Sequence, residues 1–134
     1  MSDTAAANKE FMKGLYAAFT RGDIATVLNG VTEDSVWHIA AGPSYGGKDY
    51  RGPAELGNFF AAMGAAVTFT KFDVHFMMAE GDYVVAFIAS EGKGNQNSVT
   101  ASMPVVHRWR IQDGKIAEMW EVLDSREYVK MVGA

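Results

Sequence analysis

Residues 105–124 read VVHRWRIQDGKIAEMWEVLD, and this stretch decides the fold prediction for the chain. Every second residue from Val105 to Ile111 belongs to one face, a period that is typical of a β-strand with one buried side. Gln112-Asp113-Gly114 predicts a tight turn, because glycine readily adopts positive φ. The sequence therefore predicts a β-hairpin, and this hairpin carries two ionisable residues, His107 and Glu121.

The length of the turn decides whether His107 and Glu121 share a face of this hairpin. A three-residue turn would pair His107 with Met119 and place Glu121 one diagonal step away on the same face. A two-residue turn would pair His107 with Trp120 and send Glu121 to the opposite face. The sequence leaves both registers open, so the existence of a site on the hairpin depends on the turn.

Composition restricts the classes to which the protein can belong. The chain of 134 residues is expected to form one domain, 1–134, and its 49% hydrophobic content argues against disorder. A net charge of −4 argues against a nucleic acid partner, which would require clustered Lys and Arg. The absence of Cys excludes disulfides, thiol nucleophiles and thiolate metal sites.

No apolar run reaches the roughly 18 to 20 residues that a membrane span requires. Residues 1–10 are too polar for a signal peptide. We therefore expect a cytoplasmic protein without a membrane partner.

Hydrophobic periodicity predicts two helices, a strand, a third helix and then four antiparallel strands. Helices are expected over 2–21, 24–28 and 54–65, and strands over 33–39, 69–78, 83–91, 98–111 and the returning half of the hairpin. Residues 40–52 are expected to be irregular because of their Gly and Pro content, and 126–132 to form a loose tail. The expected fold class is α+β, with a cone-shaped, curved antiparallel sheet and three N-terminal helices that enclose a pocket.

Three segments carry a family resemblance: FTRGDIATVLNGVTEDSVWHIAAG (19–42), YRGPAELGNFF (50–60) and HRWRIQDGKIAEMWEVLD (107–124). Through them the chain resembles the SnoaL-like branch of the nuclear transport factor 2-like superfamily, which includes polyketide cyclases and relatives of ketosteroid isomerase. The resemblance spans nearly the whole chain and implies the conical fold. It is weak evidence for a reaction, because one such cone hosts isomerases, cyclases, hydrolases, dehydratases and non-catalytic binders.

The resemblance to ketosteroid isomerase-like members implies roles for individual positions. Their general base is an acid at the end of the first strand, and the corresponding positions here, near Ile39 or Ala40, hold none. Their acid that donates a hydrogen bond to the substrate oxygen corresponds to His107. Their donor tyrosine on the first helix corresponds to Tyr16 or Leu15.

Other branches of the family imply different catalytic sets. Epoxide hydrolase-like members use an Asp-Arg-Asp arrangement, which Met103, Val105 and His107 do not supply, so that chemistry is disfavoured. SnoaL-like cyclases place a His and an acid on the last two strands, and His107 and Glu121 resemble that pair, with Glu in place of the more usual Asp. The resemblance thus implies His107 and Glu121 as the catalytic residues.

An imidazole and a carboxylate that face an apolar cavity can perform general acid/base catalysis. Burial raises the pKa of a carboxylic acid towards neutrality, and an adjacent imidazole can hold or relay the proton. Removal of a proton next to a carbonyl, as in an isomerisation or an aldol cyclisation, needs little else. Alternatively, His107 and Glu121 form a buried hydrogen bond without a catalytic role. The protein would then be a module that only binds a ligand, or an assembly module. A further alternative is an interaction domain whose cavity is filled by Trp and Phe.

The other candidates are expected to shape a cavity for a small apolar ligand, in the range of roughly 300 Å³ or above. Because strand residues alternate between two faces, Trp37 is expected to face the cavity together with Ile39. His38 is expected either to have a structural role or to reach the ligand if the strand contains a bulge. Tyr16 is expected as a hydroxyl donor. The expected substrate-binding residues are Tyr16, Trp37, His38, Tyr50, Phe59, Met63, Met103, Val105, Trp109, Met119 and Leu123.

No metal or cofactor is expected. The three His lie on three different predicted strands without a close partner acid, which is not a ligand constellation. The segment GPSYGG (42–47) lacks the strand-to-helix context and the Lys-Ser/Thr ending of a phosphate loop. A homodimer through the outer face of the sheet is expected, because the outward residues are too mixed for a plain solvent face: Arg108, Arg110, Trp120 and Val122.

Overall fold

A curved, unclosed sheet of six strands forms the frame of the protein, and four helices accompany it in the part of the chain that the structure describes. The structure is a computed structural model that describes residues 3–40 and 48–132. In chain order the elements are α1 (Asp3–Thr20), α2 (Ile24–Asn29), β1 (Val31–Ile39), β2 (Lys48–Arg51), α3 (Gly52–Ala66), β3 (Val67–Glu80), β4 (Tyr83–Gly94), β5 (Thr100–Gln112), β6 (Lys115–Leu123) and α4 (Ser125–Val132).

The strands lie in the order β2-β1-β6-β5-β4-β3. All neighbouring pairs are antiparallel except β1 and β6, which run parallel. This pairing places the last residues of β1 next to β6 of the β5–β6 hairpin, where Trp37 lies beside Met119 and His38 beside Trp120. The predicted α+β architecture is confirmed.

The β5–β6 hairpin adopts neither of the two registers considered from the sequence. Gln112 pairs with Lys115, so the turn has two residues, and Asp113 and Gly114 both have positive φ, 51° and 78°, as a type I′ turn requires. A bulge then follows, because Ile111 pairs with Ile116 whereas Arg110 pairs with Glu118. The unpaired Ala117 shifts the register by one residue and sets His107 directly opposite Glu121.

A fourth helix replaces the loose tail expected over residues 126–132. Helix α4 buries Tyr128 and Met131, and the Asp124 carboxylate accepts a hydrogen bond from the Arg126 backbone N–H at 3.0 Å, as a helix cap does. The side chain of Asn97 donates to the carbonyl oxygen of Lys130 at 3.0 Å, which secures the far end of the helix. Burial of two large side chains therefore outweighs the weak helical signal of this short segment.

Strand β2 is a second departure from the prediction. It lies within residues 40–52, which were expected to be irregular, and it pairs with β1 so that Tyr50 lies opposite Trp37. Residues 41–47 of this stretch lie outside the described residues. Only tertiary pairing with β1 makes a strand of four residues stable, so no local signal marks it.

The core fills the space between the helices and the concave side of the sheet. Its most deeply buried apolar side chains come from helices and strands alike: Met12, Leu56, Val84, Ile88, Ile116, Met119 and Met131. Within residues 3–40 and 48–132, no helix has the length and apolar content needed to cross a membrane.

Replacement of Gly94 by Ala tests how tightly α4 is docked. A Cβ at Gly94 would overlap the backbone carbonyl of Met131 in α4, so we expect the free energy of unfolding to fall by about 1–3 kcal/mol, measured by urea denaturation. Gly14→Ala is the matched control, because a Cβ there meets no atom within 4 Å and alanine favours the helix. Equal stability of the two variants would contradict the docking of α4.

Candidate functional site

A cavity lies between the helices and the concave side of the sheet, and aromatic and aliphatic side chains form nearly all of its wall. The structure brings most of the predicted site residues to it: Tyr16, Trp37, Phe59, Met63, Met103, Val105, His107, Trp109, Met119, Glu121 and Leu123. Further residues of the wall lie outside the predicted set of site residues: Met12, Leu15, Phe19, Val27, Ile39, Phe60, Phe69, Phe72, Ile116 and Tyr128.

The cavity is smaller than the sequence-based expectation. Its volume is about 80 Å³. This is well below the roughly 300 Å³ at which small-molecule pockets begin, so only a compact ligand fits the cavity in this conformation.

Three side chains in the cavity wall form a buried hydrogen-bonded chain. Trp109 Nε1–H donates to the hydroxyl oxygen of Tyr16 at 2.8 Å, and the same hydroxyl lies 2.7 Å from Nδ1 of His107. The Tyr16 and His107 rings are stacked with an interplanar angle of 3°. Helix α1 is thereby joined to β5 within the cavity wall.

This chain assigns the tautomer of His107. An indole N–H can only donate, so the Tyr16 oxygen accepts from Trp109 and its own proton is free to be donated to Nδ1 of His107. Burial raises the pKa of Tyr16 far above its ordinary value, with a contribution from the Glu121 charge and partial opposition from the Trp109 hydrogen bond, so the hydroxyl keeps its proton. The proton of neutral His107 therefore resides on Nε2, an assignment made from the network.

Glu121 completes the polar part of the cavity. Its Oε2 lies 3.5 Å from Nε2 of His107, and only 11% and 12% of the His107 and Glu121 side chains are exposed. Its Oε1 accepts a hydrogen bond from the backbone N–H of Ala40 at 3.1 Å, just beyond the end of β1. One carboxylate oxygen is thus fixed by the backbone, whereas the other faces the imidazole and the cavity.

Two residues that were expected to bind substrate do not line the cavity. His38 lies on the opposite face of β1 from Trp37, because neighbouring residues of a strand alternate between its faces. Tyr50 is buried behind the cavity wall, where its ring packs against Phe59 at a centroid distance of 4.9 Å. The opposition of Tyr50 and Trp37 in the β1–β2 pair could not be read from the sequence, since β2 was not predicted.

His38 instead joins three strands on the outer face. Its Nδ1 lies 2.8 Å from the Asp49 carboxylate of β2, and its Nε2 lies 2.7 Å from the Glu118 carboxylate of β6. Carboxylates accept hydrogen bonds, so both ring nitrogens carry protons when both bonds are made. The hydrogen bonds from Glu118 and Asp49 raise the pKa of His38 against the opposing effect of burial. Among the described residues, no group of three or more His, Asp or Glu is arranged to hold a metal ion.

Tyr128 lines the cavity but was not among the predicted site residues. It reaches the cavity from α4, a helix that the sequence reasoning treated as a tail. Asp124 before the helix, the i, i+3 spacing of Tyr128 and Met131, and Lys130 in the last turn together form the signal that could have revealed it.

The chain belongs to the SnoaL-like family, because the model of the SnoaL-like domain matches residues 12–119. Solved structures agree with this assignment at the level of the fold. A nuclear transport factor 2-like protein from Burkholderia xenovorans is 22% identical with a TM-score of 0.84, and the match covers 96% of this chain and 98% of that one.

Two further similar structures come from proteins with stated ligands or activities. TerC, co-crystallised with polyporic acid, is 26% identical with a TM-score of 0.82, and the match covers 96% of this chain and 99% of TerC. An epoxide hydrolase from Mycobacterium tuberculosis is 16% identical with a TM-score of 0.75, over 96% of this chain and 90% of the hydrolase. None of the curated proteins matches the sequence.

The charge on His38 predicts a pH dependence of stability. Because its pKa is raised in the folded protein, the stabilisation is complete below the ordinary histidine value of about 6.5 and is lost as the pH rises through the folded pKa. We expect the free energy of unfolding to fall between pH 6 and pH 9 more steeply in the wild type than in His38→Gln, measured by urea denaturation. Parallel pH profiles of the two proteins would refute the charged bridge.

Proposed function

We propose that this protein is a cofactor-independent acid/base enzyme that acts on a compact, apolar, carbonyl-bearing molecule, with an isomerase, cyclase or related lyase reaction. The observation that carries the proposal is the pair formed by Glu121 Oε2 and His107 Nε2, which lie 3.5 Å apart on the wall of an otherwise apolar cavity. A carboxylate that faces an apolar cavity beside an imidazole can act as a general base.

The tautomer of His107 divides the roles between the two residues. Glu121 Oε2 accepts a proton from the carbon next to the substrate carbonyl, and the electron pair of the broken C–H bond moves to the carbonyl oxygen as an enolate. His107 Nε2–H donates a hydrogen bond to that oxygen and stabilises its negative charge. When the enolate is conjugated with a C=C bond, return of the proton from Glu121 to the γ-carbon gives an isomer with a shifted double bond. When the enolate carbon attacks a second carbonyl, a ring forms, and the alkoxide produced at that carbonyl takes back the proton from Glu121.

The position of Glu121 supports this assignment. In ketosteroid isomerase-like proteins the resemblance implies a base at the end of the first strand, where this chain has Ile39 and Ala40. Glu121 approaches the same place from β6, because its Oε1 accepts the Ala40 N–H. A glutamate has one methylene more than the usual aspartate, and this added length helps the carboxylate to span from β6 to the end of β1.

A non-catalytic binding module on the same fold is the second candidate. The small volume of the cavity favours it, because about 80 Å³ leaves little freedom for a reacting substrate. The co-crystal of TerC with polyporic acid supports the narrower idea that organic ligands enter proteins of this fold.

Replacement of Glu121 by Gln separates these two functions. The probe reaction is exchange of the methyl protons of acetophenone in D₂O, followed by NMR, with binding followed by the fluorescence of Trp37 and Trp109 in the cavity wall. Because an amide cannot accept the proton, we expect the exchange rate to fall at least 100-fold while the affinity changes little.

Glu91→Gln is the matched control, since Glu91 is exposed on β4 and does not line the cavity. It should exchange protons at the wild-type rate. Wild-type exchange rates in Glu121→Gln would refute the catalytic role, and binding of acetophenone without catalysed exchange in the wild type would favour the binding module.

We also propose that two copies associate through the outer face of the sheet. Several apolar side chains there are largely exposed: Phe76 and Met78 on β3, Tyr83 and Phe87 on β4 and Val122 on β6. Arg108 stacks over Trp120 at 3.9 Å from the ring centroid, which extends a flat surface between them. A two-fold dimer would cover this one patch on both copies.

Val122→Glu tests the dimer against Val99→Glu, a matched change at an exposed valine in the segment between β4 and β5. By sedimentation at micromolar concentration, we expect the wild type and Val99→Glu to be dimers. Val122→Glu should be a monomer, because a carboxylate would have to leave water at the centre of the apolar patch. A monomeric wild type would remove the proposal.

A further inference from the structure

A groove with a volume of about 540 Å³ lies between α1 and the edge strand β3. Its helical side is formed by Lys9, Lys13 and Tyr16, which follow one another at i, i+4 and i+7 and therefore share one face of α1. Residues 74–77 of β3 form the opposite side. The groove has the size of a small-molecule site. Among the described residues it shares only Tyr16 with the inner cavity, so it is a separate binding volume.

A bulge shapes the strand side of this groove. The pairing of β3 with β4 passes from Val74 opposite Ile88 directly to Phe76 opposite Phe87, so His75 has no partner on β4. In a regular strand, neighbouring side chains point to opposite faces, whereas here four consecutive residues border one groove. A bulge bends its strand and re-aims side chains in this way.

The charged side chains that line the groove are all basic. Lys9 and Lys13 line it, and among the described residues no Asp or Glu does so, although the chain has 16 acidic and 12 basic residues. Lys13 forms an exposed ion pair with Glu10 at 3.0 Å. Lys9 is half-buried and has no ion pair among the described residues. A positive charge that is partly removed from water and lacks a counter-charge favours an anionic ligand.

The uncharged part of the wall suits an aromatic body for such an anion. Val74 and Met77 are partly buried and pack against the core, so they offer the groove a fixed apolar surface. A methionine sulfur makes favourable contacts with aromatic rings. The imidazole of His75 can donate a further hydrogen bond to an anionic oxygen.

We propose that this groove binds an aromatic carboxylate, with the ring against Val74 and Met77 and the carboxylate beside Lys9 and Lys13. The basic side chains distinguish this ligand from neutral aromatic compounds, and the apolar surface adds contacts along the ring. The site is independent of the proposed function, because its recognition of a ligand needs neither a base nor a reaction.

The inner cavity does not compete for a ligand of this class. Its volume is about 80 Å³, which is too small for two fused rings. Glu121 is the one side chain of the cavity wall that carries a full charge at neutral pH among the described residues, and its carboxylate repels another carboxylate. Binding of a naphthalene carboxylate therefore reports on the groove, whether or not the cavity is catalytic.

Titration with 2-naphthoate and with its neutral analogue 2-naphthamide tests the proposal, with backbone amide shifts followed by NMR at low ionic strength. We expect the wild type to bind the acid about fivefold more tightly than the amide, since partly exposed charge pairs contribute modestly. High salt should reduce this preference. The largest shifts should fall on residues 9–16 and 74–77. The double variant Lys9→Gln/Lys13→Gln should bind the two compounds equally.

Lys93→Gln/Lys115→Gln is the matched control, because it removes the same charge from residues that do not line the groove. It should keep the fivefold preference. Glutamine is compatible with a helix, so Lys9→Gln/Lys13→Gln should keep the wild-type midpoint of urea unfolding.

The proposal is overturned if the wild type binds neither compound, or binds both equally. It is also overturned if the control loses the preference as fully as Lys9→Gln/Lys13→Gln, because the effect would then be one of overall charge. Shifts confined to residues outside the groove would overturn it as well. Exchange of the acetophenone protons is measured separately, so its absence would count against the proposed function and leave the groove standing.

Discussion

The register of the β5–β6 hairpin is the constraint on which the candidate site depends. A side chain in a strand can reach only one face, and a shift of one residue exchanges the faces. The type I′ turn at Asp113-Gly114 would by itself turn Glu121 towards the outside, and the unpaired Ala117 restores it to the concave side opposite His107. The turn and the bulge act together, so neither can be interpreted without the other.

Around that pair, hydrogen bonding connects elements that are far apart in sequence. Tyr16 on α1, Trp109 and His107 on β5, Glu121 on β6 and the Ala40 N–H beyond β1 form one continuous series of polar contacts through an apolar core. Within low-dielectric surroundings such contacts are strong and geometrically demanding. The imidazole is consequently fixed in one tautomer and the carboxylate in one orientation, which is the preorganisation that acid/base chemistry requires.

Sequence reasoning succeeded where the signal was local and failed where it was tertiary. Helices α1 and α3 and strands β3 to β6 carry clear periodicities, and the family resemblance supplied the cone. Strand β2 has four residues and exists through its pairing with β1, while α4 depends on the burial of Tyr128 and Met131. The bulge at Ala117 has no glycine or proline to mark it. The alternation of strand residues was enough to predict that Trp37 faces the cavity. The role of His38 depends on Asp49 and Glu118, which lie on two other strands, so the sequence could not reveal it.

The two hydrogen-bonded histidines show how one residue type meets different surroundings on the two faces of one sheet. His38, on the outer face, lies between two carboxylates and is stabilised as a cation. His107, on the inner face, accepts a hydrogen bond from the Tyr16 hydroxyl at Nδ1 and has the Glu121 carboxylate 3.5 Å from Nε2. The outer histidine holds the edge strand β2 to the sheet. The inner one directs Nε2 towards Glu121 and the cavity, where a hydrogen bond from Nε2–H can stabilise a developing negative charge on a ligand oxygen.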